Sequence, residues 1–310
     1  MRVLVTGATG FVGRALVPHL LRAGYVVRAG VRESVRIPGV DVMAHGDLAR
    51  SVDWRPLVSG IDAVVHLAGQ AHATRALPDS HYEQVNHTTT VELGRAALAA
   101  GVQRFVFVSS IKAQSAPTAA TVLTEQDEPR PVDAYGRSKL AAETGLRELG
   151  LPYTIFRPVL IYGRELKGNL ATLRKISALP VPLPFGAFQN RRSLLSLARF
   201  VDAIDLALSS PKLLGQTFVI ADRAPISLRS LIAAFRIARN RRSLLVPIPV
   251  RLMHVALRLA GGEELWERVG GELVVDASKL IAAGWTPASD TGVALAGVLR
   301  HHQGEHTKIV

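Results

Sequence analysis

Short apolar runs alternate with amphipathic stretches along the first half of the chain. The runs end at Gly, Ser or Asp, which is typical of buried strands. They lie at residues 2–6, 25–31, 41–44, 62–69 and 104–108. The amphipathic stretches at 14–23 and 86–100 have the spacing of helices. This alternation predicts an α/β fold with a doubly wound parallel sheet, whose ligands bind at the carboxyl ends of the strands.

The alternation loosens after Gly163, and prolines cluster between Leu179 and Gly186. Apolar residues stand between these prolines, so the segment is interpreted as a packed loop and not as a linker. We therefore expect a main domain at 1–165 and a smaller α/β region at 166–310 that is interleaved with it. Both fit a globular chain of 310 residues, of which 48% are hydrophobic and 20% charged. The chain has no cysteine, which excludes disulfides and thiolate metal sites.

The net charge of +12 comes from 37 basic and 25 acidic residues. The arginines are spread along the chain, and no basic run is interleaved with aromatic residues, so we expect an anionic small molecule as partner and no nucleic acid. The apolar segment 244–260 contains two prolines, Arg251, His254 and Arg258, which predicts a loop and helix instead of a membrane span. Weak attraction to anionic membrane surfaces stays open. No signal peptide precedes the first strand, and we expect a cytoplasmic protein.

Three glycines follow the first strand at a spacing of three residues. Gly7 permits a tight turn, Gly10 allows a close backbone approach, and Gly13 lets the next helix pack on the strand. The first amides of that helix would face a pyrophosphate, which the unpaired N–H groups and the helix dipole favour. The turn therefore predicts a dinucleotide site.

The second strand ends in Val31-Arg32-Glu33, without the Asp that NAD-selective sites place on the adenosine ribose. Arg32 is a candidate for holding a 2′-phosphate, so NADP is favoured over NAD; the alternative is a solvated loop charge. Asp47, in Gly46-Asp47-Leu48, would approach the adenine edge or else cap the next helix.

Ser109-Ser110 and Tyr135-Gly136-Arg137-Ser138-Lys139 form the candidate catalytic set. Tyr135 and Lys139 are four residues apart and stand on one face of a helix, so the ammonium is expected to lie near the phenol and lower its pKa. A serine hydroxyl can hydrogen-bond the substrate oxygen whose proton moves.

At these residues the chain resembles the extended short-chain dehydrogenase/reductase family, of the epimerase/dehydratase type. Further matching segments are Thr6 to Gly13, Gly46 to Leu48, His66 to Gly69, Asn86, Arg157-Pro158 and Tyr162-Gly163. The resemblance implies a Rossmann fold at 1–165 and a nucleotide-sugar-binding region at 166–310. It implies Tyr135 as base or acid, Lys139 on the nicotinamide ribose and phenol, and Ser110 on the substrate hydroxyl.

The same resemblance suggests a homodimer through the helices near Asn86 and Tyr135. Together with the residues argued above, Arg32 among them, it completes the set of candidate site residues, which includes no metal ligand. The cofactor residues are Gly7, Thr9, Gly10, Phe11, Val12, Gly13, Arg32, Asp47, Leu48, Leu67, Ala68, Gly69, Val108, Tyr135, Lys139 and Pro158. The substrate residues are Ser110, Lys112, Asn169 and Arg192. Lys112 and Arg192 have the alternative of being solvated charges.

Ile111-Lys112 stand where a dehydratase of this family has Asp-Glu, which disfavours dehydration. The expected activity is an NAD(P)-dependent epimerisation at C4 of a nucleotide-linked sugar, UDP-glucose or a UDP-N-acetylhexosamine. One alternative is an NADPH-dependent reductase of a UDP-4-keto-6-deoxy-N-acetylhexosamine, in the synthesis of surface-polysaccharide precursors. Another is a dinucleotide-binding regulator without turnover.

Overall fold

The structure is a computed structural model that describes residues 1–71, 77–166, 168–259 and 270–306. Its strands are β1 (Arg2–Thr6), β2 (Val26–Val31), β3 (Asp41–Ala44), β4 (Ala63–His66), β5 (Arg104–Val108), β6 (Tyr153–Pro158), β7 (Leu160–Tyr162), β8 (Arg191–Arg192), β9 (Leu194–Ser196), β10 (Gln216–Ile220) and β11 (Ile226–Ser227).

The α-helices begin directly after the glycine-rich turn and continue to the end of the described chain. They are α1 (Gly13–Arg22), α2 (Arg55–Val58), α3 (Asp79–Tyr82), α4 (Thr89–Ala99), α5 (Ala134–Glu148), α6 (Gly168–Ser177), α7 (Leu197–Ser209), α8 (Leu228–Ile237), α9 (Val250–Leu259), α10 (Ser278–Ala282) and α11 (Thr291–His306). A π-helix spans Glu83–Thr88, and 3-10 turns span Ile111–Ala113 and Pro211–Leu213.

Seven strands form one parallel sheet in the order β10-β6-β5-β4-β1-β2-β3. The order reverses between β1 and β4, where the chain leaves the sheet in opposite directions and opens a crevice above the strand ends. The predicted doubly wound α/β fold is confirmed. Strand β10 comes from the second half of the chain and pairs with β6, so both halves build the same sheet.

Successive residues of β1 supply opposite faces of the sheet. Val3 and Val5 join the cluster under α1 and α7, while Leu4 joins the cluster under α4 and α5. Both faces are therefore apolar, as expected for parallel strands covered on two sides. A third cluster holds the second half together around Tyr162, Phe188 and Phe235.

The helix predicted at 86–100 begins earlier, because α3 continues through the π-helix into α4. Asp47 does not cap a helix; its Oδ1 accepts the amide N–H of Ala49 at 3.1 Å and closes a turn. The proline-rich segment packs only in part: Leu183 is buried in the third cluster, whereas Leu179 and Val181 are exposed, contrary to the prediction. Within the described ranges, no helix has the length and apolar character needed to cross a bilayer.

Candidate active site

The glycine-rich turn joins β1 to α1 and leaves the first turn of that helix open. Gly7 has a positive φ of 67°, and a Cβ there would lie 2.8 Å from the amide nitrogen of Ala68. A Cβ on Gly13 would overlap the carbonyl oxygen of Gly7. Helix α1 has no side-chain cap and no acidic residue in its first turn. The glycines therefore let β1, the turn and α1 pack closely, and the uncapped start of α1, without an acidic residue, suits an anion such as a dinucleotide pyrophosphate.

Arg32 follows β2 directly and is exposed, next to the carboxyl end of β1 in the sheet. Burial lowers the pKa of His45, and the charge of Arg32 contributes in the same direction, so the two side chains lie close together. Leu48 is buried, whereas Asp47 is exposed. Arg32 is therefore exposed at the carboxyl end of β2, at the same edge of the sheet as the glycine-rich turn.

Ser110 and Tyr135 come together after β5 and at the start of α5. The side chain of Ser110 is close enough to the phenol of Tyr135 to affect its pKa. Burial raises the pKa of Tyr135 to about 12, Ser110 lowers it, and the charge of Asp133 raises it. The expectation of a lowered pKa for this phenol is wrong for this structure, because burial outweighs the lowering by Ser110, and Lys139 is not among the groups that affect it.

Lys139 is buried one helical turn after Tyr135. Its Nζ donates to the carbonyl oxygen of Val108 at 2.9 Å and lies 4.5 Å from the centroid of the Phe107 ring. Burial lowers the pKa of Lys139 to about 8, and the nearby carboxylate of Glu143 opposes that shift. The lysine is thus held at the end of β5, directed to the backbone instead of to the phenol.

A buried ion pair anchors helix α5 to the sheet below the candidate catalytic residues. Arg157 on β6 donates to Glu143 on α5 through Nη2 at 2.6 Å and through Nε at 2.9 Å. Ser109 Oγ donates to the same carboxylate at 2.6 Å, and Arg157 Nη1 donates to Gln114 Oε1 at 2.8 Å. The network therefore fixes the serine strand, the following turn and the catalytic helix relative to each other.

Asn86 clamps the chain where it leaves β4. Its Oδ1 accepts the amide N–H of Gln70 at 2.8 Å, and its Nδ2 donates to the carbonyl of Gln70 and to Ser138 Oγ, each at 3.1 Å. A Cβ on Gly69 would lie 2.8 Å from Asn86 Oδ1. This clamp holds Leu67, Ala68 and Gly69 close to α5, at the centre of the crevice.

Lys112 forms an ion pair with Asp133, with Nζ 2.6 Å from Oδ2. Asp133 also caps α5 by accepting the amide N–H of Gly136 at 2.7 Å. Partial burial disfavours the charge of Asp133, but Lys112 and Gly136 outweigh it and hold the pKa of this carboxyl below its usual range. Lys112 Nζ lies 5.9 Å from the centroid of the Tyr135 ring, so this cation is beside the phenol.

Arg192 and Asn169 are the candidate substrate residues of the second half of the chain. Arg192 donates from Nη1 to Gly271 O at 3.1 Å and from Nη2 to Pro117 O at 2.8 Å, and burial lowers its pKa. Asn169 lies in α6, but its side chain is outside the described part of the structure. Pro158 ends β6. A Cβ on Gly163 would lie 3.1 Å from Phe11 Cζ, so Phe11 of the glycine-rich turn packs against the chain just after β7.

The chain matches the model of the NAD dependent epimerase/dehydratase family over residues 3–221. It belongs to this family. The match covers the sheet, the glycine-rich turn and the Ser110, Tyr135 and Lys139 set. This confirms the resemblance inferred from the sequence, and the chain is an enzyme of the epimerase/dehydratase type.

Individual proteins of known name are similar to this chain along most of its length. A UDP-glucose 4-epimerase of Vibrio cholerae is 34% identical over 296 residues, covering 92% of this chain and 90% of the relative. An N-acetyl-alpha-D-glucosaminyl-diphospho-ditrans,octacis-undecaprenol 4-epimerase of Escherichia coli O157:H7 is 27% identical, with 81% and 77% covered. The fold is shared with the UDP-glucuronic acid 4-epimerase of Bacillus cereus in complex with NAD, with a TM-score of 0.76, 18% identity, and 98% and 99% covered.

The sequence pattern gave no role to Asp133, Glu143 and Gln114. The structure places these three residues around the candidate active site. Asp133 has a local signal, because it stands three residues before Gly136 at the start of a helix, as an N-cap does. Glu143 stands four residues after Lys139 and shares the helix face of Tyr135. Gln114 has no comparable signal, since its partner Arg157 is 43 residues away along the chain.

Proposed function

We propose that the chain is a UDP-sugar 4-epimerase that uses a nicotinamide dinucleotide, with UDP-glucose or UDP-N-acetylglucosamine as substrate. The observation that carries the proposal is the position of Ser110 next to the phenol of Tyr135, with Lys139 one helical turn later and held at the carboxyl end of β5. The 34% identity to the Vibrio cholerae UDP-glucose 4-epimerase supports a UDP-linked sugar.

Tyr135 and Ser110 are assigned to the oxygen at C4 of the sugar. The phenolate of Tyr135 accepts the proton of the C4 hydroxyl, and Ser110 donates a hydrogen bond to the same oxygen. When bound, the oxidised nicotinamide supplies the hydride acceptor and a positive charge that favours the phenolate. Loss of one proton and one hydride leaves a 4-keto sugar. The keto sugar rotates within the site. Tyr135 then returns the proton to the oxygen at C4, and C4 receives the hydride on its opposite face.

Lys139 and the glycine-rich turn are assigned to cofactor binding. Gly7, Gly10 and Gly13 bring the backbone to the pyrophosphate, and Lys139 holds the nicotinamide ribose. Leu67, Ala68, Val108 and Pro158 line the nicotinamide side. Arg32, exposed at the ribose end, favours NADP over NAD because a guanidinium suits a 2′-phosphate. Arg192 and Lys112 are the proposed cations for the nucleotide sugar.

Proton NMR tests the proposal directly. Purified protein is mixed with UDP-glucose, or in parallel with UDP-N-acetylglucosamine, and a catalytic amount of NAD or NADP. We expect the C4 epimer to accumulate to equilibrium without net reduction of the cofactor. If neither sugar changes while a UDP-4-keto-6-deoxy sugar consumes NADPH, the chain is a reductase and the epimerase proposal is overturned. No change with any of these sugars also overturns it.

A further inference from the structure

One stretch of the second half carries only positive charge. Residues 223–259 contain eight arginines and neither aspartate nor glutamate. This stretch forms β11, α8, the loop after it and α9. It packs against the proline-rich loop at 178–186, since the amide N–H of Leu183 donates to Leu244 O and that of Val246 donates to Leu183 O.

The same region exposes large aliphatic side chains. We call these residues and the arginines among them the apolar-basic patch. The aliphatic members, each at least 44% exposed, are Leu179, Val181, Ile237, Leu244, Val246, Leu252 and Val255. Such a group is unusual on a water-facing surface, where exposed apolar residues are normally scattered. The two most exposed of the seven lie one turn apart on α9, Leu252 at 62% and Val255 at 55%.

Arg236 brings the two loops of the apolar-basic patch together. Its buried guanidinium donates to the carbonyl oxygens of Leu179 at 3.1 Å, Val181 at 2.6 Å and Leu244 at 3.1 Å. The aliphatic side chains of both loops therefore share one surface. On α9, Val250 and Met253 pack on the third core cluster, which directs Leu252 and Val255 away from the core.

The arginines of the patch are Arg239, Arg241, Arg242 and Arg251, and the last three are exposed. Arginine next to exposed leucine and valine suits the boundary of an anionic bilayer, where guanidinium groups meet phosphates and aliphatic groups enter the acyl region. A second copy of this chain is a poorer occupant. A two-fold contact would place these arginines opposite each other without a carboxylate from the same stretch to neutralise them.

We propose that the apolar-basic patch docks this protein on the surface of an anionic lipid bilayer. The patch lies outside the residues assigned to catalysis, so the proposal does not depend on the proposed function. It predicts a peripheral association that needs both negatively charged lipid and the exposed aliphatic groups, because either contribution alone is weak.

Vesicle flotation of the full chain tests this proposal. We expect the protein to float with vesicles of phosphatidylcholine and phosphatidylglycerol in a ratio of about three to one. With vesicles of phosphatidylcholine alone we expect the protein to stay in the bottom fraction of the gradient. The double variant Arg241→Ser/Arg242→Ser should weaken partition roughly fivefold for each arginine removed. Leu252→Glu/Val255→Glu should abolish flotation, while the matched control Val26→Glu, at a site 55% exposed on β2, should float like the parent.

Circular dichroism and urea unfolding verify that each variant is folded, and Leu244→Glu/Val246→Glu replaces the α9 variant if that one is not. The proposal is overturned if the parent chain stays below with anionic vesicles, if it floats equally with neutral ones, or if folded patch variants float like the parent. It is also overturned if sedimentation shows a dimer that Leu252→Glu/Val255→Glu converts to monomer, since the patch then joins two copies.

Discussion

Lys112 Nζ lies 2.6 Å from Asp133 Oδ2, and this ion pair stands beside the phenol assigned to proton transfer. The charge of Asp133 raises the pKa of Tyr135, while the hydroxyl of Ser110 lowers it. Tyr82 contacts the same ring edge-on, with centroids 6.4 Å apart. The charged pair is therefore placed to set the pH at which Tyr135 loses its proton.

Replacing Asp133 by Asn tests this arrangement. Asparagine keeps an N-cap for α5 but removes the negative charge, so the pKa of Tyr135 should fall. Because the phenolate is the proposed base, the acidic limb of the kcat profile should move to lower pH. The measurement is kcat at saturating sugar across the pH range. An unchanged limb, or one displaced to higher pH, contradicts the proposed effect of Asp133.

Lys112→Met should displace the same limb in the opposite direction. Without the ammonium, the charge of Asp133 is less compensated, so the pKa of Tyr135 should rise and the acidic limb should move to higher pH. An effect of Lys112 on substrate binding would appear in KM and not in the position of this limb. A displacement in the same direction as that of Asp133→Asn would show that both variants merely disturb the helix.

Tyr135→Phe removes the proposed acid and base while keeping the aromatic ring. We expect kcat to fall by about 10²-fold to 10⁴-fold, the usual contribution of a positioned proton donor or acceptor. Cofactor affinity should stay within a few-fold of the parent, because Lys139 and the glycine-rich turn are unaltered. Fluorescence titration with NADPH and NADH provides that control. Turnover equal to that of the parent would remove Tyr135 from the mechanism.

The buried pair of Arg157 and Glu143 should matter for stability far more than an exposed one. Their side chains are 3% and 0% exposed, so Arg157→Met leaves a buried carboxylate partly uncompensated and should lower the free energy of unfolding by about 3 kcal/mol or more. Arg14→Ala breaks a pair that is 52% and 57% exposed and should cost less than about 1 kcal/mol. Urea unfolding of both variants measures the difference, and equal losses would contradict the argument.

The fold and the residues at its strand ends were predictable because their signals are local. Strand β3 was predicted at its observed bounds. Gly7 predicted a tight turn, and it has the positive φ that few other residues adopt. Ser110, Tyr135 and Lys139 were brought together by placing a helix after a parallel strand, which needs only the order of the elements.

The electrostatics of the site were not predictable, because they depend on burial and on distant partners. The phenol of Tyr135 was expected to have a lowered pKa, yet desolvation raises it, and the sequence pattern does not show how deeply the ring is enclosed. Arg157 appeared as part of a motif, but its pairing with Glu143 and Gln114 follows from the packing of β6 against α5. The exposure of Leu252 and Val255 on α9 likewise could not be predicted, because it depends on where the core lies.

Arg32→Ala tests the proposed preference for NADP. The guanidinium is exposed at the end of β2, where an added 2′-phosphate would receive a charge-assisted hydrogen bond of about 1.5–3 kcal/mol. Its loss should weaken NADPH binding by about tenfold or more and leave NADH binding within twofold. Arg22→Ala, which removes an exposed arginine at the C-terminal end of α1, away from the glycine-rich turn, is the matched control. Equal weakening of both cofactors would mean that Arg32 contacts a phosphate common to them, and the preference for NADP would lose its physical basis.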